Sequence, residues 1–213
     1  MNRIILFIIL IVFNVQLITG QNNKEDTYYL SNELNFGNYF GIDYNLNYVL
    51  KNKYSLKIGF SGNVRKPKSQ PENYSGGLSG LFSLGIENPY DHLLNYRIDF
   101  GKIYNLNPKG TIRMNFSFGI GYSIIKEPNN WQFVETDAVI NLAENYTYSY
   151  RSYSTLSFII NPKIEIPFTR FYGLTISPMI QINKDRTYFG IGIGQMIGLL
   201  RKKKNSITDY EKL

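Results

Sequence analysis

The chain has no cysteine and only one histidine and one tryptophan among its 213 residues. The absence of cysteine excludes both a disulfide scaffold and a lipid-modified N-terminal cysteine. The single histidine, His92, excludes a histidine-rich metal site, and we expect neither a metal nor another cofactor. Charged residues are also scarce, at 18% of the chain. The fold class must therefore be inferred from the pattern of apolar residues.

Long apolar runs are missing as well, since none reaches the roughly 20 residues that a transmembrane helix needs. The run at Ile4–Phe13 follows a short basic N-terminus and is interrupted by Asn14 and Gln16. This pattern, with Gly20 as a small residue at its end, is typical of a cleaved signal peptide. We expect residues 1–20 to be removed; the alternative is an uncleaved anchor helix.

What the chain does contain is strict alternation of apolar with small or polar residues. In the clearest segment, 112–124, seven apolar residues alternate with six small or polar ones; the apolar set is Ile112, Met114, Phe116, Phe118, Ile120, Tyr122 and Ile124. Successive strand side chains point to opposite faces, so one face of this segment is apolar and the other polar. Strands of roughly ten residues or more with this pattern, together with 18 Tyr and 14 Phe, are typical of a transmembrane β-barrel.

Eight such strands can be assigned, which predicts an all-β fold: a closed antiparallel transmembrane β-barrel. The predicted strands are 36–48, 56–64, 78–86, 94–104, 112–124, 156–168, 174–182 and 189–199. We expect the barrel domain to occupy residues 21–204, followed by a polar tail at 205–213.

The strand count leaves an alternative open. With eight strands and both termini periplasmic, the turns at 50–53, 88–92 and 183–187 and the stretch 126–145 lie outside the cell. The polar loop 66–77 then lies on the periplasmic side, where turns are normally short. A ten-strand barrel, with added strands at Tyr28–Leu34 and Trp131–Leu142, places that loop outside and makes Glu127–Asn130 a periplasmic turn.

The distribution of charge decides which face of the strands meets lipid. Among the apolar positions only Lys102 is charged, and it lies beside a turn, where its side chain can reach the membrane interface. We therefore expect the apolar face to contact lipid. A soluble barrel would carry many more charged residues than the nine on the opposite face. These nine are Asp43, Lys57, Arg65, Glu87, Arg97, Asp99, Arg113, Lys163 and Glu165.

These nine residues include five basic and four acidic side chains, so their charges nearly cancel. An eight-stranded barrel is only wide enough for its own side chains to fill. Buried charges persist when they are paired and hydrogen-bonded. We expect a structural charge network that plugs the lumen, rather than an ion pathway. The lumenal glycines at 190, 192, 194 and 198 are expected to make room for long Arg and Lys side chains.

The C-terminal segment 188–204, YFGIGIGQMIGLLRKKK, together with the exported barrel pattern, resembles a known family. It is similar to the small outer-membrane β-barrel proteins of Gram-negative bacteria of the Bacteroidota type, related in architecture to the OmpA and OmpX barrels. The resemblance implies an outer-membrane location and transfers no catalytic residue. One departure is the polar continuation after Arg201, because many such barrels end at an aromatic residue of the last strand.

Three function classes follow. The leading one is a structural or surface-interaction barrel, whose extracellular loops, with Trp131 and the Tyr146/Tyr148/Tyr150 series, meet an unknown partner. The second is a narrow pore or transport component, favoured if ten strands widen the lumen. The third is a lipid-modifying enzyme, which needs His92 beside a serine or an acid at the lipid edge. We expect no catalytic site, contacts with outer-membrane lipid and lipopolysaccharide, a monomer, and no nucleic-acid partner despite the net charge of +7.

Overall fold

The computed structural model describes residues 26–83, 88–108, 110–135 and 144–201, over which there are eight strands and one short helix. The strands are β1 (Thr27–Gly37), β2 (Phe40–Leu50), β3 (Tyr54–Arg65), β4 (Asp91–Asn105), β5 (Arg113–Phe133), β6 (Tyr146–Ile166), β7 (Tyr172–Ile182) and β8 (Thr187–Leu199), and the helix is α1 (Gly77–Phe82). Within the described ranges, no helix is long and apolar enough to cross a membrane. The predicted signal peptide, 1–20, and the predicted tail, 205–213, lie outside them.

The eight strands form one closed antiparallel ring in chain order, with β8 pairing back onto β1. The closing pair runs from Tyr28 opposite Leu199 to Gly37 opposite Gly190. Closure leaves no unpaired sheet edge around the ring, as a lipid-embedded sheet requires. The predicted fold class, an eight-stranded closed barrel, is confirmed.

The number of strands was predicted correctly, but one of the eight predicted segments is not a strand and one strand was not assigned. The segment Tyr28–Leu34, which only the ten-strand alternative treated as a strand, lies within β1, although Asn32 interrupts the outward apolar set of β1. The predicted strand at 78–86 is instead helical over Gly77–Phe82; residues 84–87 lie outside the described ranges. A physical reason is visible in the sequence, since Leu78, Leu81 and Phe82 are also spaced for one face of a helical turn.

This exchange changes the sides on which the connections lie. One end of the barrel, here called the loop rim, carries the connections at 38–39, 66–90, 134–145 and 183–186, and the other end, the turn rim, carries those at 51–53, 106–112 and 167–171. The polar loop 66–77 therefore lies at the same rim as the stretch after β5, and the turn at 51–53 lies at the opposite one. The expected placement of these two connections was wrong, because it followed from the missing β1.

The two faces of the sheet follow the predicted assignment. Outward side chains such as Ile120 and Leu156 are 68% and 75% exposed, whereas the inward Ser117 and Lys163 are 0% exposed. Lys102 is an outward charge near the turn rim, with its Nζ 5.1 Å from the centre of the Tyr104 ring. The barrel is thus apolar outside and mainly polar inside, which is the arrangement of a membrane-spanning barrel.

Strands β5 and β6 are much longer than the others, at 21 residues each. Spanning a membrane takes only about 9–11 residues of a strand. Pairing of β4 with β5 ends at His92 and Lys126, and pairing of β6 with β7 ends at Phe158 and Ile182. Beyond these points the β5–β6 hairpin continues alone past the loop rim. The segment Glu127–Asn130, a turn in the ten-strand alternative, lies within β5.

Candidate functional site

The centre of the lumen holds a charged cluster around Arg97 of β4. Its Nη2 lies 2.6 Å from Oδ2 of Asp43, and its Nε lies 3.1 Å from Oδ2 of Asp99. Lys57 Nζ approaches the same Asp99 oxygen at 3.5 Å. Gly59 is the β3 neighbour of Arg97, and a Cβ there would lie 3.1 Å from the guanidinium carbon. The small residue therefore makes room for the large one.

A second charged cluster lies nearer the turn rim. Lys163 Nζ is 2.5 Å from Glu33 Oε1, and Arg113 Nε is 2.6 Å from Glu165 Oε2. Tyr29 donates its hydroxyl to Glu165 Oε1 at 2.6 Å. Glu33 was missing from the predicted set because β1 was not assigned as a strand. The sequence could have shown this, because inward and outward positions alternate regularly along β1 once the segment is taken as a strand.

The β8 glycines lie beside this cluster. A Cβ at Gly192 would approach Glu33 Oε2 and Asn35 Oδ1 at 2.9 Å each. Gly192 therefore accommodates acidic and amide side chains of β1, whereas a Cβ at Gly190 would meet the Tyr188 hydroxyl at 2.5 Å and one at Gly198 would meet Tyr29. We expected the β8 glycines to make room for long Arg and Lys side chains. That expectation was wrong, because the neighbour of β8 in the ring is β1.

A third cluster closes the lumen at the loop rim. Asp91 Oδ2 accepts from Arg65 at 2.9 Å and from Arg186 at 3.0 Å, and Arg186 also contacts Glu127. Of these four residues only Arg65 was in the predicted set, because the sequence pattern placed the other three in turns or irregular chain. Glu87, the remaining predicted member, lies outside the described residues.

Apolar side chains occupy the lumen above and below the central charges, which the sequence analysis did not anticipate. The group nearer the loop rim comprises Tyr39, Leu93, Ile125, Ile159, Met179 and Tyr188. The group nearer the turn rim comprises Tyr29, Val49, Ile103, Met196 and Leu200. Along β4 alone, the inward residues run Asp91, Leu93, Asn95, Arg97, Asp99, Gly101 and Ile103. On β4 the central charges, Arg97 and Asp99, are thus enclosed between two apolar layers, and Asp91 of the third cluster lies beyond the layer nearer the loop rim.

The sequence carried a signal for the first of these layers. Its members stand next to outward apolar residues, as in Leu93-Leu94, Ile124-Ile125, Ile159-Ile160 and Met179-Ile180. Such a pair places apolar side chains on both faces of one strand. Adjacent apolar residues are expected in a strand that is apolar on both faces. Here they mark the apolar layer of the lumen nearer the loop rim.

Above the loop rim, aromatic residues join the β5–β6 hairpin to the β3–β4 connection. The ring centre of Trp131 lies 5.0 Å from that of Tyr148 and 5.6 Å from that of Tyr74. Tyr146 donates its hydroxyl to Asn73 Oδ1 at 2.7 Å, and Ser69 donates to the Pro128 carbonyl at 2.8 Å.

Burial by this cluster raises the pKa of the Tyr74 hydroxyl above its usual value. The aromatic series predicted as a loop surface is therefore partly packed, and it fixes residues 66–76 against the hairpin.

His92 lies outside the lumen, on the outer wall at the loop rim. Ser152 lines the same groove, but it is on β6, two strands from β4. Two strand spacings are about 10 Å, and among the described residues no hydrogen bond joins His92 to Ser152. The carboxylate of the neighbouring Asp91 binds arginines inside the barrel. The nucleophile and base pair that a lipid-modifying enzyme needs is therefore not assembled here. Over the described ranges, no group of His, Asp and Glu is arranged to hold a metal ion.

No protein-family model matches the chain, and no curated protein matches it. Among solved structures, a major outer membrane protein from Thermus thermophilus has a TM-score of 0.54 at 9% identity, over 82% of this chain and 99% of that one. Ail, the attachment invasion locus protein of Yersinia pestis, has a TM-score of 0.46 at 10% identity, over 82% of this chain and 96% of its own. The N-terminal β-barrel domain of Pseudomonas aeruginosa OprF has a TM-score of 0.45 at 10% identity, over 82% and 98%.

The likeness to the Thermus protein concerns the fold, which is that of an outer-membrane β-barrel. The apolar belt around the ring needs a lipid surrounding, and closed barrels of this kind span outer membranes. The chain is therefore an outer-membrane β-barrel protein. The narrower resemblance to Bacteroidota-type barrels and to OmpA and OmpX stays a prediction.

Proposed function

We propose that this protein is a closed outer-membrane barrel that acts through its loop rim, as a structural or surface-interaction protein without a conducting lumen. The observation that carries the proposal is the filling of the lumen. Lys57, Lys163 and Glu165 are fully buried, each beside an opposite charge. Eight strands leave room only for side chains, and here the charged side chains of the lumen pair with one another.

The apolar layers add to this argument. A permeant ion would have to pass the layer around Leu93 and Ile125, whose side chains are mainly apolar, and it would lose most of its water shell there, which is costly. The narrow-pore alternative drew its support from a ten-strand barrel, and the ring has eight strands. The eight predicted lumenal charges that lie within the described residues, with Glu33 added, therefore serve as a structural plug in this proposal.

The orientation of the barrel follows from its connections. Outer-membrane barrels carry short turns on the periplasmic side and longer loops outside. We assign the loop rim to the outside of the cell and both termini to the periplasm. The protruding β5–β6 hairpin and the loop 66–76 then form the surface that meets an extracellular or envelope partner. We expect a monomer, because every strand finds both partners within one chain.

The experiment is epitope insertion with labelling of intact cells. An epitope inserted in the 134–145 connection is expected to bind antibody on intact cells. The matched control carries the same epitope in the 106–112 connection and is expected to bind only after the cells are permeabilised. Labelling of the control alone on intact cells would invert the barrel and contradict the proposal.

A further inference from the structure

The outer wall of the barrel carries a groove of about 400 Å³ at the loop rim, lined by His92, Leu94, Lys126, Tyr150 and Ser152. The strand register brings these residues together. His92 is paired with Lys126 across β4 and β5, and Lys126 is paired with Ser152 across β5 and β6. All three occupy outward positions, directly above the apolar rows that face lipid.

The groove is basic because its nearest acidic neighbours point the other way. Asp91 and Glu127 adjoin His92 and Lys126 in sequence, but both face the lumen and bind Arg186 there. Lys126 is exposed and forms no ion pair with any described residue. An anion with several oxygens could therefore accept hydrogen bonds from the ammonium, the imidazole and the Ser152 hydroxyl at once.

Tyr150 holds one side of the groove. Its ring centre lies 5.9 Å from that of His92, and its hydroxyl accepts a hydrogen bond from the Tyr90 amide at 3.4 Å. Tyrosine at this height is suited to a membrane interface, since its ring is apolar and its tip polar.

A second groove, of about 370 Å³, lies on the same wall below the first and is lined mainly by apolar residues: Ile58, Tyr96, Ile98, Ile120, Tyr122 and Leu156. Both grooves follow β4 and β5. From His92 to Ile98 is six residues along one strand, or about 20 Å. The hydrocarbon core of a bilayer is about 30 Å thick, so the two grooves together are deep enough for a chain of one leaflet.

The geometry points to a lipid site on the outer wall. The upper groove binds the phosphate of an outer-leaflet membrane lipid through Lys126, His92 and Ser152, and the lower groove accepts one of its acyl chains. This inference rests on the proposed orientation, in which the loop rim faces the outside of the cell. The partner is a phosphate-bearing lipid.

The sole histidine provides a reporter at the site itself. Barrel protein with isotope-labelled histidine, held in an uncharged detergent, is titrated with phosphatidic acid, with diacylglycerol of the same chains, and with inorganic phosphate. The imidazole NMR signals of His92 are expected to shift saturably with phosphatidic acid only. An equal response to inorganic phosphate at the same concentration would identify a free-anion site and overturn the lipid assignment.

A matched pair of variants tests the role of the cation. Lys126→Gln is expected to weaken phosphatidic acid binding by about fivefold or more. Lys102→Gln removes the same charge from the same outer surface at the opposite rim, and it is expected to leave the affinity unchanged. Equal affinities for both variants and the wild type, with all three folded on unboiled gels, would overturn the proposal.

The two proposals fail separately. Loss of the lipid response would leave the epitope result untouched, and the barrel would remain a closed surface protein without this site. A saturable lipid response together with an inverted epitope pattern would keep the groove but move its lipid to the inner leaflet, which contradicts the outer-leaflet assignment.

Discussion

Replacement of Arg97 by methionine tests the charged centre of the lumen most severely. The guanidinium binds Asp43 at 2.6 Å, Asn45 at 2.7 Å and Asp99 at 3.1 Å. In the variant, Asp99 keeps Lys57, whereas Asp43 keeps only a hydrogen bond from Asn45 at 3.0 Å. Removing one partner of a buried ion pair costs about 3–5 kcal/mol, because the other charge is left uncompensated. We expect Arg97→Met to lose about that much unfolding free energy.

The assay is equilibrium unfolding in urea, in detergent or liposomes, followed by the mobility of folded and unfolded protein on unboiled gels. The matched control is Arg151→Met, because Arg151 is an exposed arginine on the part of β6 beyond the ring. Its guanidinium lies 5.4 Å from the centre of the Tyr153 ring, and an exposed contact of this kind is worth at most about 1 kcal/mol, so the loss is expected to stay below that value. Adding Asp43→Asn to Arg97→Met should recover part of the loss, as neighbouring sites are coupled. A loss below about 1 kcal/mol for Arg97→Met would refute the reasoning.

Two further predictions concern the outer wall and the loop rim. Ile120→Arg, in the middle of the lipid-facing wall, should cost about 2–4 kcal/mol, whereas Ile112→Arg, at the turn rim, should cost about 0–1 kcal/mol; equal unfolding midpoints for the two variants would show that the belt is misplaced. Trp131→Ala removes ring contacts with both Tyr74 and Tyr148, and it should speed thermolysin cleavage within residues 66–76 by about tenfold. Barrel unfolding should stay unchanged in that variant, because the hairpin tip lies beyond the ring, and unchanged cleavage would contradict the role of Trp131 in fixing the loop.

The alternation of apolar and polar residues was sufficient to predict most strands and the face of each one. The strand predicted at 112–124 is present, but β5 runs from Arg113 to Phe133, so its predicted end was nine residues too early. β1 was not assigned because Asn32 interrupts its outward apolar set, and the ring closure that stabilises it is invisible from the segment alone. The helix at Gly77–Phe82 was missed for a related reason. In so short a segment, leucines and a phenylalanine are compatible with both the two-residue period of a strand and the 3.6-residue period of a helix.

The charged residues of the lumen were partly predictable from the same alternation of inward and outward positions. Asp43, Arg97, Asp99, Arg113, Lys163 and Glu165 all lie inside, as expected from alternation, but which acid faces which base depends on strand tilt and on side-chain length. Arg97 crosses from β4 to Asp43 on β2, past the glycine at 59. Asp91 was missed because the turn-like sequence before it concealed an inward position at the start of β4. Arg186 was missed because it lies in the 183–186 connection, from which its side chain reaches Asp91.

Single-channel recording of the purified barrel in planar bilayers tests the central claim, a lumen filled by paired charges and two apolar layers. Insertion is verified in the same membranes by protease protection of the strands, so that a silent bilayer cannot reflect missing protein. The filled lumen predicts little or no conductance for the wild type, at either polarity. A large and steady conductance would contradict it and favour the narrow pore.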